Sequence, residues 1–317
     1  MAKAFDVVGV GLNATDTLLV VPHFPEYGGK APFTREILSP GGQVASAIVT
    51  CQRLGLRTKY IGSVGDDERG RIQLASLRES GVNLDHVQTR ENCGNQSAYI
   101  IIDQRTGERT VFWHREDCLR IDPEQIAPEQ ITCAGLLHID GHDTPAVAHA
   151  AKIAREAGIP VTVDVDTIYH GFDKALPYVD YLIASTGFPV QWTNESDPFR
   201  ALELIQKEYG MKVAAMTLGA YGALALCGGR FHYSPAFVVN CADTTGAGDV
   251  FHGAFCYALV REYPLPRILD FSNAMAAMNC KALGARGGIG TLEDAEALIR
   301  NGERRSNPDF VSPARSG

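Results

Sequence analysis

The run CADTTGAGDVFHGAFCYALV, residues 241–260, holds the densest set of groups able to do chemistry. Gly246, Ala247 and Gly248 make a small-residue turn that leads straight into an apolar helical pattern. The first amides of a helix have no partner within it, and with the helix dipole they form a site for a phosphate or an oxyanion. Small residues let that backbone approach the anion closely. Asp249 falls in the first helical turn beside those amides. A carboxylate there reads either as a helix cap or as a general base placed next to an anion.

The string from Asp243 to Phe255, DTTGAGDVFHGAF, resembles the second signature of the ribokinase-like (PfkB) carbohydrate kinases. Cys256 departs from the aliphatic or small residue more often found there. The resemblance covers nearly all of the chain. GLNATDTLLVVPHFP looks like the family's first strand, which implies substrate contacts for Asn13 and Asp16, with Asp16 on sugar hydroxyls. SPGGQVASAIVTCQRLG looks like the first signature, which brings Gly41, Gly42, Gln43 and Ser46 to the sugar, and VGDDERG follows at 64–70. VAAMTLGAYGALAL at 213–226 resembles the nucleotide-side strand pair and implies Thr217, Gly219 and Gly222 as nucleotide contacts. NAMAAMNCKALGARGGIG at 273–290 resembles the helix and loop beside the base, with Asn273 and Ala276 facing it.

This resemblance implies transfer of the γ-phosphate of ATP, with Mg2+, to a primary hydroxyl of a sugar. Asp249 would take the hydroxyl proton while the amides of Gly246, Ala247 and Gly248 stabilise charge on the transferring group. Asp243 and Thr245 match positions that bind a monovalent cation, K+, in many relatives, with help from the loop at 283–288; Asp243 reads equally well as a turn or capping residue. Asp140, in LLHIDGHD, matches a position that often faces the sugar, and it ends an apolar strand at the edge where ligands of open α/β sheets gather. His114 and Arg115 are either lid contacts or solvated surface. His138 and His142 flank Asp140 without a third metal ligand at suitable spacing.

Two departures bear on the substrate and the metal. The family usually has Asn at the position of Ser46, and often Asn or Lys at Gln43, so the sugar contacts are not carried over intact. Many relatives carry Asn-x-x-Glu where this chain has Ser185 and Phe188, so the carboxylate that organises water around the metal is missing, as in the ketohexokinase-like branch. A nucleoside kinase, as in the adenosine-kinase branch, and a non-catalytic sugar- or nucleotide-binding relative stay open as alternatives.

The elements that must position these groups alternate for most of the length. Short β-rich runs at Phe5–Gly9, Lys59–Ser63, Gly135–Ile139, Val161–Val165, Tyr181–Ala184, Val213–Thr217 and Ala223–Cys227 alternate with helical patterns at 43–54, 67–80, 145–157, 198–209, 247–261, 266–282 and 292–299. That rhythm predicts a three-layer α/β/α fold with a mostly parallel central sheet. Residues 16–38 and 97–114 read instead as alternating strands, the second with a hairpin turn in DQRTGE, and predict a small β-sheet lid. One α/β domain over 1–300 and a polar tail at 301–317 follow from the same pattern.

Composition narrows the classes. Lys and Arg number 29 and Asp and Glu 37, a formal charge of −8, which argues against a nucleic-acid partner. With no signal-like start and no long apolar window, a cytoplasmic, membrane-free protein is expected. The eight cysteines form no close pairs in sequence, and most read as buried thiols in a reducing compartment. The family resemblance implies a homodimer through the lid as one assembly, since an exposed β edge tends to be covered, while a charged edge would leave a monomer.

Overall fold

The structure, a computed structural model, describes residues 3–307 and residue 310. The first half runs β1 (Phe5–Val10), β2 (Ala14–Val21), β3 (Arg35–Gly41), α1 (Gln43–Arg53), β4 (Thr58–Gly65), α2 (Glu68–Glu79), β5 (Asn83–Arg90), β6 (Ser97–Asp103), β7 (Arg109–His114), α3 (Pro128–Thr132), β8 (Ala134–Asp140) and α4 (Thr144–Glu156). The second runs β9 (Val161–Val165), β10 (Tyr181–Ser185), α5 (Gly187–Thr193), α6 (Pro198–Tyr209), β11 (Val213–Thr217), β12 (Ala223–Cys227), β13 (Arg230–Ser234), β14 (Ala236–Phe237), α7 (Ala247–Val260), α8 (Leu265–Asn279), α9 (Leu292–Asn301) and β15 (Arg304–Arg305).

The main sheet has the order β13-β12-β11-β10-β9-β8-β1-β4-β5 and is parallel except at β11–β12 and β12–β13. Helices cover both faces, so an inner strand such as VTVDV is buried at every position. Neighbouring residues of one strand therefore serve opposite cores. Val7, Leu136 and Ile183 pack with α1, α7 and α8, whereas Val8, Leu137 and Leu182 pack with α4 and α6.

All seven expected sheet strands and all seven expected helices form. The strands missed by pattern, β5 and β13, lie at the two edges of the sheet, where NLDHVQTR and RFHYS are only half covered and so keep polar residues. Residues 16–38 and 97–114 build the second sheet, in the order β3-β2-β6-β7. One of its faces packs Leu18, Val20, Ile100 and Ile102 into a small core of their own. From residue 301 onward, Arg304–Arg305 pairs with Ala236–Phe237, and the Arg304 guanidinium lies 3.6 Å from the Phe237 ring centre; residues 308–309 and 311–317 of the expected polar tail lie outside the described ones.

The cysteine reading needs one correction. Cys93 and Cys118 are joined in a disulfide although they stand 25 residues apart. They flank the β6–β7 hairpin, which returns the chain to where it left, so distance in sequence does not measure distance in space. The other six cysteines are free. Unfolded without reductant, the protein should therefore titrate six thiols, and eight after reduction; eight before reduction would show the bridge open.

Candidate active site

Helix α7 starts at Gly246, whose φ of 73° is left-handed and favours glycine. A Cβ there would also lie 2.4 Å from the Ala285 backbone, so no side chain fits. Two loops meet at this point. Asp243, fully buried, accepts from the Thr245 amide with Oδ1 and from the Gly284 amide with Oδ2, both at 2.8 Å. Asn279 adds a second clasp, donating to Thr245 O at 3.1 Å and Ala285 O at 3.2 Å while accepting from the Gly288 amide at 3.0 Å. The Ala247 amide is tied to Thr244 O at 3.2 Å, and the space a Cβ would fill at Gly248 is open. Thr245 Oγ1 is buried with no partner.

Asp249 follows this turn. Burial pushes its carboxyl up, His252, Arg109 and Arg286 pull it down, and Asp166 pushes it up again. Asp16 reaches the same centre from β2. Its carboxyl is raised to about 7, first by burial and then by the charge of Asp249. Gly41 lies over Asp16, so close that a Cβ there would meet Oδ2 at 2.8 Å. Gly42, at φ 91°, crosses Asn13 so tightly that a Cβ would sit 2.3 Å from its Cα. Asn13 Oδ1, Asp16 Oδ1 and Gln43 Oε1 are all buried acceptors without a donor. These residues thus lie together around one centre.

Others turn inward. Ser46 is fully buried and accepts from Arg286 Nε at 3.1 Å. Asp140 is likewise fully buried, with its two oxygens on the Leu12 amide at 2.6 Å and the His142 amide at 2.9 Å, a bracket between the segments that follow β1 and β8. Arg115 pairs with Asp143 at 2.5 Å, and His138 and His142 bond Thr162 at 3.0 Å and Tyr169 at 2.9 Å. His114 stays exposed at the end of β7.

A scan against family models matches residues 7–291 to the pfkB family of carbohydrate kinases. This chain belongs to that family. Among curated proteins it is similar to the ATP-dependent ribose-1-phosphate kinase of Halopiger xanaduensis, 28% identical over 88% of this chain and 93% of that one. It is 26% identical to the ribokinase of Haemophilus influenzae, over 95% and 100%. The solved ribokinase of Thermotoga maritima shares the fold, with a TM-score of 0.78 at 24% identity over 94% of this chain and 100% of that one.

Of the residues expected at the nucleotide, Thr217 ends β11 and Gly219 and Gly222 border the short helical turn before β12. Leu218 N donates to Gly222 O at 2.7 Å and closes that turn. Asn273 is buried and donates to Ser234 O at 2.9 Å and Ser234 Oγ at 2.8 Å, so it ties α8 to β13. Ala276 lies half-buried on the same helix. At the missing metal motif, Phe188 is core, stacked on Trp192, and Ser185 donates to Asp166 O at 2.9 Å.

Several residues at the centre escaped the sequence reading. Arg286 donates to Ser46 Oγ, Ser76 Oγ and Gly41 O, and burial lowers it to about 10. Arg109, from the lid, donates to Thr244 O at 2.9 Å and Thr244 Oγ1 at 2.8 Å, and Thr244 N donates to Gly107 O at 3.1 Å. The lid hairpin thus rests on the anion turn. The signals were in plain view: Arg286 lies inside ALGARGGIG, and Asp164 is a carboxylate inside VTVDV, a strand buried at every position. Arg286→Met, which takes the donor from the buried Ser46 Oγ and removes bonds to Ser76 Oγ and Gly41 O, should lower stability by about 3 kcal/mol in a denaturant titration; a change near zero would show that the guanidinium is not structural.

Proposed function

We propose that this kinase transfers the γ-phosphate of ATP to a primary hydroxyl of an uncharged sugar, with Asp249 as general base. The observation that carries this reading is the group of donorless acceptors, Asn13 Oδ1, Asp16 Oδ1 and Gln43 Oε1, placed beside a small-residue helix start. Buried acceptors need donors, and a polyhydroxyl ligand supplies several. The helix start takes an anion, so donor-rich and anionic ligands have places next to each other.

Mg2+-ATP supplies the transferable phosphoryl group, with the divalent ion screening its oxygens. This chain's residues do the rest. Asp16 holds a sugar hydroxyl, Asp249 takes the proton from the attacking one, and the amides of Gly246 and Gly248 serve the charge that moves onto the transferring group, the Ala247 amide being held by Thr244 O. The open space at Gly248 suits a phosphate there. Thr217, Gly219, Gly222 and Ala276 border the nucleotide, while Asn273 supports the wall behind it. Asp166, an exposed carboxylate beside Asp249, fits the role of orienting magnesium's water in place of the residue lost at Phe188. Asp243 and Thr245 frame a site for K+, for which the unpartnered Thr245 Oγ1 is a free oxygen. A single domain over 1–300 carries both halves of the site.

One observation favours a second reading. Trp113 pairs with Ala98 on the cleft-facing side of the lid and is 63% exposed, which suits the aromatic base of a nucleoside. The opposite side carries a row of Leu38, Thr17, Tyr99 and Phe112, with Tyr99 53% and Phe112 60% exposed, which supports a dimer through the lid.

ADP formation measured across ketoses, aldoses, sugar acids and nucleosides, with and without K+, separates the readings. A neutral sugar should give turnover that Asp249→Asn lowers by at least about 10²-fold, with ATP binding retained. Near-normal turnover in the variant would remove Asp249 as base, and tight binding with no ADP would leave a non-catalytic relative. In sedimentation, Phe112→Glu should convert a dimer to a monomer; unchanged mass would move the interface elsewhere.

A further inference from the structure

Tyr60, on β4, is fully buried, yet it carries a hydroxyl that packing alone does not require. Its ring lies along its own strand over Gly62, where any Cβ would collide with the phenol oxygen. The hydroxyl thereby reaches the connection between β1 and β2. It donates to Gly11 O at 2.7 Å and accepts from Asn13 Nδ2 at 2.9 Å. Asn13 Nδ2 also donates to Ser63 O at 2.6 Å. Gly11 O and Ser63 O are backbone carbonyls and only accept, so the phenol hydrogen must go to Gly11 and the amide nitrogen of Asn13 must be the atom beside Ser63. Both amide hydrogens are then spent. Asn13 Oδ1 is the atom left over, buried and without a donor.

We propose that Tyr60 is a positioning residue of the sugar subsite, its hydroxyl fixing the Asn13 amide so that the oxygen is presented to a hydroxyl of the ligand. This deepens the reading of the pocket as the sugar's and rests on it. An asparagine free to rotate serves a donor or an acceptor by turning its amide. Here a turn breaks two hydrogen bonds and sets Oδ1 against Ser63 O, which costs more than either bond alone. Gly42 closes off another direction, since its backbone crosses Asn13 too tightly for a side chain to stand between them. Asp16 Oδ1 and Gln43 Oε1 are likewise buried acceptors without donors, so the subsite asks its ligand for hydrogens at each of the three. A sugar hydroxyl answers that demand, whereas an oxygen without a hydrogen would set lone pair against lone pair. Tyr60 itself has no exposed surface and acts on the ligand only through Asn13. A phenylalanine would fill the same core, which separates the hydroxyl's part from the ring's.

The first arm of the test needs no ligand. In the 15N-labelled full chain the Asn13 side-chain amide is assigned by its loss in Asn13→Asp, and both of its hydrogens should exchange slowly with water. Tyr60→Phe should shift one of the two and speed its exchange. A pair that exchanges freely in the wild type, or one that the variant leaves untouched, overturns the proposal; the wild-type half of this result stands even if Tyr60→Phe does not fold. In the second arm D-ribose is the acceptor. Tyr60→Phe should raise its KM roughly five- to ten-fold, the loss of about one hydrogen bond, with kcat and the KM for ATP moved much less. An unchanged KM for D-ribose, or a loss shared equally by kcat and both substrates, overturns the proposal and leaves Tyr60 as a core residue that satisfies Gly11 O. No turnover of D-ribose by the wild type would tell against that sugar as acceptor and not against Tyr60, which the amide spectra decide by themselves.

Discussion

The active centre depends on two loop backbones coming into contact with no side chain between them. At Gly246 the turn that opens α7 touches Ala285, and the Asp243 and Asn279 clasps hold both loops there. A helix start binds an anion only if its amides point where the anion sits, so the direction of α7 is a chemical requirement as well as a packing result. Gly253 serves the same end from behind, because a Cβ there would lie 2.5 Å from Ala47 O and would force α7 away from α1.

Around this point the chain concentrates negative charge. Asp16, Asp164, Asp166 and Asp249 gather within one protein that already carries a formal charge of −8. Such a group is unstable without cations, and each of those at hand comes from a different part of the fold. Arg286 arrives on the loop after α8 and Arg109 on the lid. The lid thus contributes charge as well as cover, and its rest position on Thr244 sets the distance of one of these cations.

In the proposed reaction the lid is also where the two substrates would meet. Its β2 carries Asp16 toward the sugar side, while the hairpin turn before Arg109 lies on the anion turn. One small sheet therefore links Asp16 to the turn that opens α7. The inner core of Leu18, Val20, Ile100 and Ile102 makes that sheet a stiff unit.

The sequence by itself determined the alternation of strands and helices, the position of the lid strands and the turn at Gly246–Gly248, because each is a local property written in periodicity or in small residues. It also pointed to Asn13, Asp16, Gln43 and Asp249 through motifs. It did not decide which polar residues would face the cleft. Ser46 and Asp140 look like ligands in the string, yet Arg286, 240 residues away from Ser46, takes one of them and the Leu12 and His142 amides take the other. Cys93–Cys118, Arg109 on Thr244 and His252 against Asp164 have the same character. Tertiary structure decided these, since hydrogen bonds and charges act through space and buried polar groups accept whichever partner the fold brings within reach.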